Sequence, residues 1–249
     1  MTQTESTSPP PSKKGMRLPR LFLLSFIPFL VFSLGFIPAI VVVRLSMFLV
    51  SFESLVGLII LPFFIVVLML LVFLSELFLS GSIIRLFGIQ YKEGTYEYSV
   101  RENAAFKWML ICQLYTPMRK LLEMIPLGGM QRSYLRLLGM KIGKNTLVGG
   151  VIKDPCLTEL GANTTVGEYA VLYAHLHDYN KGTITFSKIR VGDRCVVGAG
   201  AIIMPGVRIE NDTLVGAGAI VPKNHVLSQG KIYVGNPAGE LGSSQKPSS

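Results

Sequence analysis

From Val191 onward every sixth residue is aliphatic: Val191, Val197, Ile203, Ile209, Val215, Val221 and Leu227 follow in phase without an exception. With about 0.3 of positions occupied by Val, Ile or Leu, seven in one register arise by chance about 2 times in 10,000, so the period is real. Hexapeptide repeats of this kind build β-helices, each repeat supplying a short strand and a corner. Three places after the aliphatics stand Gly200, Gly206, Asp212, Gly218 and Asn224, residue types that tolerate a left-handed backbone. Three repeats make one coil. The pattern therefore predicts an all-β left-handed parallel β-helix with Val191, Ile209 and Leu227 stacked on one inner face and Val197 and Val215 on the next.

The register continues upstream through Ile142, Val148, Leu160, Val166 and Leu172, with Gly143, Gly149, Gly161 and Gly167 each following an aliphatic. Two interruptions mark it. At Asp154-Pro155 a turn pair stands where an aliphatic is due. The step from Leu172 to Val191 is one residue longer than three repeats, and this stretch holds Tyr173-Ala174-His175-Leu176-His177-Asp178, with two of the three histidines of the chain. A loop is expected to leave the coil there. The β-helix spans about five coils over 141–241, with a frayed Ser-rich tail at 242–249.

The rest of the chain is of another kind. Half of its residues are hydrophobic and the mean hydropathy is +0.48, too apolar for a purely soluble domain of 249 residues. Between Leu21 and Leu79 only Arg44, Glu53 and Glu76 are charged. Two apolar runs, Leu21 to Val43 and Leu55 to Leu79, are each long enough to cross a bilayer, which takes about 20 residues. A cleavable signal peptide has a much shorter apolar region, of about 7–15 residues. The predicted organisation is a disordered basic tail at 1–18, a transmembrane helical hairpin at 19–80, and an amphipathic membrane-proximal helical linker at 81–140. Lys13, Lys14, Arg17 and Arg20 precede the first span and only Arg44 separates the two, so the N-terminus and the β-helix are both expected in the cytoplasm.

In the linker, Trp108, Met109, Ile111, Leu114, Leu121, Leu122 and Ile125 supply apolar faces, while Lys107, Arg119, Lys120, Arg132 and Arg136 supply cationic ones. Pro117 and Gly128-Gly129 are expected to divide it. Such helices either lie on lipid headgroups or form a collar on the first coil. The net charge of +9 is spread along the chain without the aromatic interleaving of a nucleic-acid surface, so anionic lipid is the expected partner and nucleic acid is not. Cys112, Cys156 and Cys195 form neither a metal spacing nor an even framework, which suits a reducing compartment. Cys195 stands two places before an aliphatic, a slot for small side chains.

Two constellations point to chemistry. Gly198-Ala199-Gly200-Ala201 recurs eighteen residues later as Gly216-Ala217-Gly218-Ala219. The two copies stack on one corner and form a smooth edge with accessible backbone amides, along which a long thin ligand can lie. The second constellation is the histidine segment. An imidazole titrating near neutrality suits proton removal from an acceptor during acyl transfer, and His175 is the candidate base. His177 is expected to bind or orient substrate, and Asp178 to fix an imidazole tautomer.

These residues resemble the hexapeptide-repeat acyltransferase superfamily. The segment Val234-Gly235-Asn236-Pro237-Ala238 is similar to the signature with which that family closes its β-helix, near the adenine end of coenzyme A. Where the family carries a basic residue next, this chain has Gly239 and Glu240; Lys223 or Lys231 is the candidate to meet the ribose phosphate. Over about 106–238 the chain resembles most closely the membrane-embedded terminal domain of poly-lysine-synthetase-type non-ribosomal peptide synthetases. Leu135 to Gly143, Thr158-Glu159-Leu160-Gly161 and Ala174 to Asp178 carry that likeness, although the adenylation and carrier domains are missing. The resemblance implies a homotrimer with sites between subunits and an acetyl-CoA or other acyl-CoA donor. A membrane-proximal hydroxyl or amine of an envelope sugar, lipid or amine would be the acceptor, with no metal. Two alternatives stay open: a non-catalytic trimeric scaffold, and a gamma-carbonic-anhydrase-like zinc protein using His175, His177 and His225.

Overall fold

The computed structural model describes residues 18–48, 54–124 and 128–242. The expected tails at 1–18 and 242–249 lie outside these residues except for Leu18 and Gly242.

Three apolar helices come first: α1 (Leu18–Gly35), α2 (Ile37–Ser46) and α3 (Leu55–Leu86). α1 and α2 are separated only at Phe36 and both lie against α3. The break is built for close approach. A Cβ on Gly35 would overlap the buried Glu76 carboxylate of α3 at 1.9 Å, and Ser75 of α3 donates its hydroxyl to the Gly35 carbonyl. Ser54 caps α3 by accepting the Gly57 N–H at 3.0 Å. α3 runs seven residues past Leu79, where the apolar run ends, because Ser80, Gly81 and Ile84 turn inward against α5 (Gly128–Leu137). Residues 19–46 and 55–86 are both long and apolar enough to cross a membrane. Their large side chains face outward: Phe22 is 62% exposed, Phe63 71% and Met69 68%.

α4 (Asn103–Met124) passes through Pro117, which was expected to divide it. The proline removes one helical hydrogen bond, but Leu114, Tyr115, Met118 and Leu122 on either side of it are all buried, and this packing holds the helix together. α4 touches both α1 and α3, and its Tyr115 hydroxyl donates to the Ile152 carbonyl of the β-helix at 2.7 Å. It is a collar between the apolar helices and the first coil.

Among the described residues the β-helix has three sheets of parallel strands, one of them ended by Gly239–Glu240 pairing antiparallel with Ile232–Val234. One face stacks Ile142, Leu160, Val191, Ile209 and Leu227. The next stacks Val148, Val166, Val197, Val215 and Tyr233, and the third Ile152, Leu172, Ile203 and Val221. The predicted registers Val191–Ile209–Leu227 and Val197–Val215 are the observed ones, and all of these residues are buried. Gly200, Gly206, Asp212, Gly218 and Asn224 have φ of 68°, 78°, 58°, 68° and 59°, as the corner reading requires. Arg194, with φ 56°, sits in the same phase without being a usual left-handed residue. Its guanidinium is held by Asp212 of the next coil, with Nε–Oδ1 at 2.5 Å.

The slot two places before the second-face aliphatics is a ladder. Thr146, Thr164 and Thr213 each donate a hydroxyl to a carbonyl of the following coil, at 2.6, 2.8 and 3.0 Å. Cys195 takes the same slot, fully buried, with Sγ 3.0 Å from the Glu210 carbonyl, so its role is packing.

Ile209 lies between Val191 and Leu227 at 2% exposure, whereas Val226 on the adjacent strand is 60% exposed. Ile209→Asp is expected to cost at least about 3 kcal/mol, since it buries an unpaired charge between coils. Val226→Asp should cost under about 1 kcal/mol. Thermal unfolding of the two variants checks the inward register.

Candidate active site

The excursion after Leu172 is a β-hairpin. Strands His175–Asp178 and Thr183–Phe186 pair antiparallel, and Gly94–Glu97 from the segment before α4 adds a third strand. Alternation places His175 and His177 on the inner side with their cross-strand partners Phe186 and Ile184, both fully buried. Leu176 and Asp178 point the other way. The hairpin is anchored at its root, where Ser187 N–H donates to the Ala174 carbonyl at 2.8 Å and the chain re-enters the first face at Ile189.

Asp154 organises this root. Its side chain has no exposure and accepts three hydrogen bonds: Tyr91 hydroxyl to Oδ1 at 2.6 Å, Ala174 N–H to Oδ2 at 2.9 Å, and His175 Nδ1 to Oδ2 at 2.7 Å. A carboxylate accepts only, so Nδ1 carries the proton and Nε2 keeps a free lone pair. This is the arrangement of a general base. The tautomer-fixing carboxylate was expected to be Asp178. That residue instead caps the hairpin turn by accepting the Lys181 N–H at 3.1 Å, because it lies on the outer side of the strand.

Asp154 is also not part of a simple turn pair. Ile152 takes the inward aliphatic position two residues early, and the chain then folds into a short 3-10 turn, Pro155–Leu157, that drives Asp154 into the core. An acid standing where the repeat calls for an aliphatic was the available signal for it.

Around the dyad the rings close up. Trp108 of α4 lies 5.0 Å from the His175 ring and 5.1 Å from the His177 ring. Tyr98 approaches His177 edge-on at 4.7 Å and Tyr179 stacks on it at 5.4 Å. Burial, with repulsion from His175 in its protonated form adding to it, holds His177 below the ordinary imidazole range, although Asp154 opposes the shift. Tyr91, Tyr98, Trp108 and Tyr179 were not among the sequence candidates. Nothing local marks them, since they converge only through the fold.

The small-residue corner is where the repeat places it. Gly198 has no room for a side chain, a Cβ there lying 2.5 Å from Ala217 N, while Gly218 faces open space. Its amides are not uniformly free: Gly200 N–H donates to Glu168 of the preceding coil and Gly218 N–H to Ala199. Gly235 accepts from Ile220 N–H at 3.0 Å and Ala238 N–H donates to the Ile220 carbonyl at 2.8 Å, so the closing segment Gly235, Asn236, Pro237 and Ala238 continues the same edge. Gly198 to Ala201 and Gly216 to Ala219 thus stack as one side-chain-poor edge between the second and third faces. Lys223 does not share it, because the third face, ending at Val221, separates them. Lys231 is paired with Glu240 at 2.9 Å. Within one chain the histidines and the small-residue edge lie at opposite borders of the third face. His225 sits two coils beyond the hairpin, so the chain does not bring its three histidines together.

Burial pushes the Cys112 thiol up to about 12 and the Cys156 thiol up to about 11. Both raised values favour the protonated, unreactive form in the folded protein, and this protection is lost only as pH rises toward them. Iodoacetamide at about pH 8.5 is expected to leave both unmodified in the native protein and to alkylate both after unfolding. Peptide mass mapping checks it.

Residues 188–223 match the bacterial transferase hexapeptide family of six repeats. No curated protein matches the sequence. Among solved structures, a maltose O-acetyltransferase from Clostridium difficile 630 aligns at 22% identity and TM-score 0.40, over 49% of this chain and 82% of that one. A hexapeptide-repeat acetyltransferase from Vibrio cholerae O1 biovar eltor, complexed with acetyl coenzyme A, aligns at 21% identity and TM-score 0.43, over 49% and 81%. A galactoside acetyltransferase in complex with coenzyme A aligns at 18% identity and TM-score 0.38, over 45% and 69%. With their six-residue period and inward aliphatic stack, residues 188–223 are similar to the hexapeptide repeats of that family.

Proposed function

We propose that the protein is a membrane-anchored acyltransferase that moves an acyl group, acetyl in the simplest case, from a coenzyme A thioester to a membrane-proximal acceptor. The observation that carries this reading is the buried Asp154–His175 pair, which leaves one imidazole lone pair available beside an aromatic-lined surface. His175 Nε2 takes the proton of the acceptor hydroxyl or amine as that group attacks the thioester carbonyl. The tetrahedral intermediate then collapses with cleavage of the C–S bond, and the imidazolium returns the proton to the departing thiolate. Asp154 stabilises that imidazolium and holds its orientation. The products are the acylated acceptor and free coenzyme A.

The donor lies along Gly198 to Ala201 and Gly216 to Ala219, with Gly235 to Ala238 at its far end. Because one chain holds this edge and His175 apart, the reading requires a homotrimer in which one subunit's edge meets another's histidine. The two apolar helical runs anchor the protein with both the N-terminus and the β-helix on the cytoplasmic side. Their outward Phe, Ile, Leu and Met side chains support a lipid environment, since a chain in water does not leave so large an apolar surface bare.

His175→Ala is expected to lower transfer of labelled acetyl from acetyl-CoA into a membrane extract by at least about 100-fold, the low end of what a positioned base contributes. Asp154→Asn should also be strongly impaired, and His177→Ala less so than His175→Ala. Full activity in both histidine variants would refute the general-base mechanism. Topology is tested separately. A cysteine placed at Gln229 should resist an impermeant maleimide added to whole cells and react once the membrane is opened; labelling from outside contradicts a cytoplasmic β-helix.

A further inference from the structure

Two ring nitrogens beside the dyad lack a hydrogen-bond partner. Trp108 Nε1 and His177 Nδ1 are both buried and unsatisfied, in a cluster where every other buried polar atom of the dyad is bonded. Orphaned buried polar groups cost about 1–3 kcal/mol each and are rare unless something else meets them. Here they belong to two rings 5.1 Å apart that both face His175, at 5.0 Å from Trp108 and 5.4 Å from His177.

We propose that Trp108 Nε1 and His177 Nδ1 are the acceptor-binding pair of the site, and that the group they hold toward His175 is a neutral hydroxyl rather than an amine. The inference rests on the transferase reading above. Trp108 supplies only a donor, whereas a neutral imidazole can accept. Burial disfavours the charged form of His177. Neighbouring hydroxyls of a polyol satisfy all three nitrogens: the reacting one accepts from the indole N–H, donates to His175 Nε2 and keeps a second lone pair for attack, while the other donates to His177 Nδ1; an amine that gives its single lone pair to the indole N–H has none left to attack the thioester. The one carboxylate at the site, Asp154, already takes three donors and is unavailable to hold an ammonium.

The exposed rings of Tyr98 and Tyr179 pack on His177 from the solvent side and give the carbon skeleton of a polyol a flat surface. Trp108 also places the acceptor site relative to the anchor, because α4 packs directly on α1 and α3. Hydroxyls of a sugar or polyol headgroup are the class this geometry fits.

The test uses the full chain in detergent with radiolabelled acetyl-CoA and a total membrane extract as acceptor. The label is expected in a product released by mild alkali, as an ester is; label stable to alkali, as an amide is, overturns the inference. Trp108→Phe keeps the ring and loses the N–H. It should raise the extract concentration giving half-maximal rate by about tenfold, while the KM for acetyl-CoA changes less than about twofold. An unchanged acceptor requirement overturns the role of Trp108. His177→Asn, which keeps a polar atom near Nδ1, should retain more acceptor affinity than His177→Leu, and equal loss in both counts against the pair. Should Trp108→Phe lose its thermal transition, the two His177 variants decide alone. Wild-type protein that labels no fraction sinks the transferase reading and this inference with it. Transfer with an unaltered acceptor requirement in all variants sinks this inference only.

Discussion

A carboxylate with no contact with solvent ties three parts of the chain together at one point. Asp154 comes from the break in the first coil, Tyr91 from the segment after the apolar helices, and Ala174 and His175 from the root of the hairpin. Burying an ionised carboxylate is expensive unless its oxygens are saturated with donors, and here both are engaged. The same saturation makes the geometry specific. Removing a donor leaves the acid uncompensated, so the coil, the hairpin and the preceding segment share one arrangement in which the interior is satisfied.

That arrangement is mounted on a scaffold whose rigidity is repetitive. The backbone ladder of each coil runs to the coils above and below it, and the aliphatic stack, the threonine ladder and the left-handed corners recur with the same period. A repeat of this kind tolerates an insertion at a corner, because the strands on either side resume their register. The strand after the hairpin pairs with its neighbours as though nothing had intervened: Val191 faces Leu160 on one side and Ile209 on the other. Function can therefore sit on the excursion while stability resides in the stack. On the other side, α4 fixes the hairpin to the apolar helices, so a surface built from β-helix residues gains Trp108 from the collar.

What could be read from the sequence follows from the range of the interactions involved. The β-helix depends on neighbours six and eighteen residues apart, so Val191, Ile209 and Leu227 could be placed before any coordinates. The excursion and its histidines showed as a loss of phase. Asp154 did not show as a partner of His175, because its burial depends on Ile152 reaching the core early and on Tyr91 arriving from another element. Asp178, next to His177 in sequence, looked the better partner, yet strand alternation turns it outward. Pro117 failed as a punctuation mark for a similar reason: tertiary packing of Leu114, Tyr115 and Met118 outweighs a local preference. Lys223, which the resemblance offered as a cation for the ribose phosphate, stands on the far side of the third face from the small-residue corner.

The account stands on the state of one imidazole. With Asp154 as acceptor, the neutral form of His175 carries its proton on Nδ1 and presents an unprotonated Nε2 to the acceptor. Nitrogen-15 NMR of histidine-labelled protein, assigned by comparison with His175→Ala, reads this directly. A neutral His175 with the protonated shift at Nδ1 and the unprotonated shift at Nε2, reversed or averaged in Asp154→Asn, is the predicted result. A neutral form protonated at Nε2, unchanged by Asp154→Asn, contradicts the dyad and the base it is meant to supply.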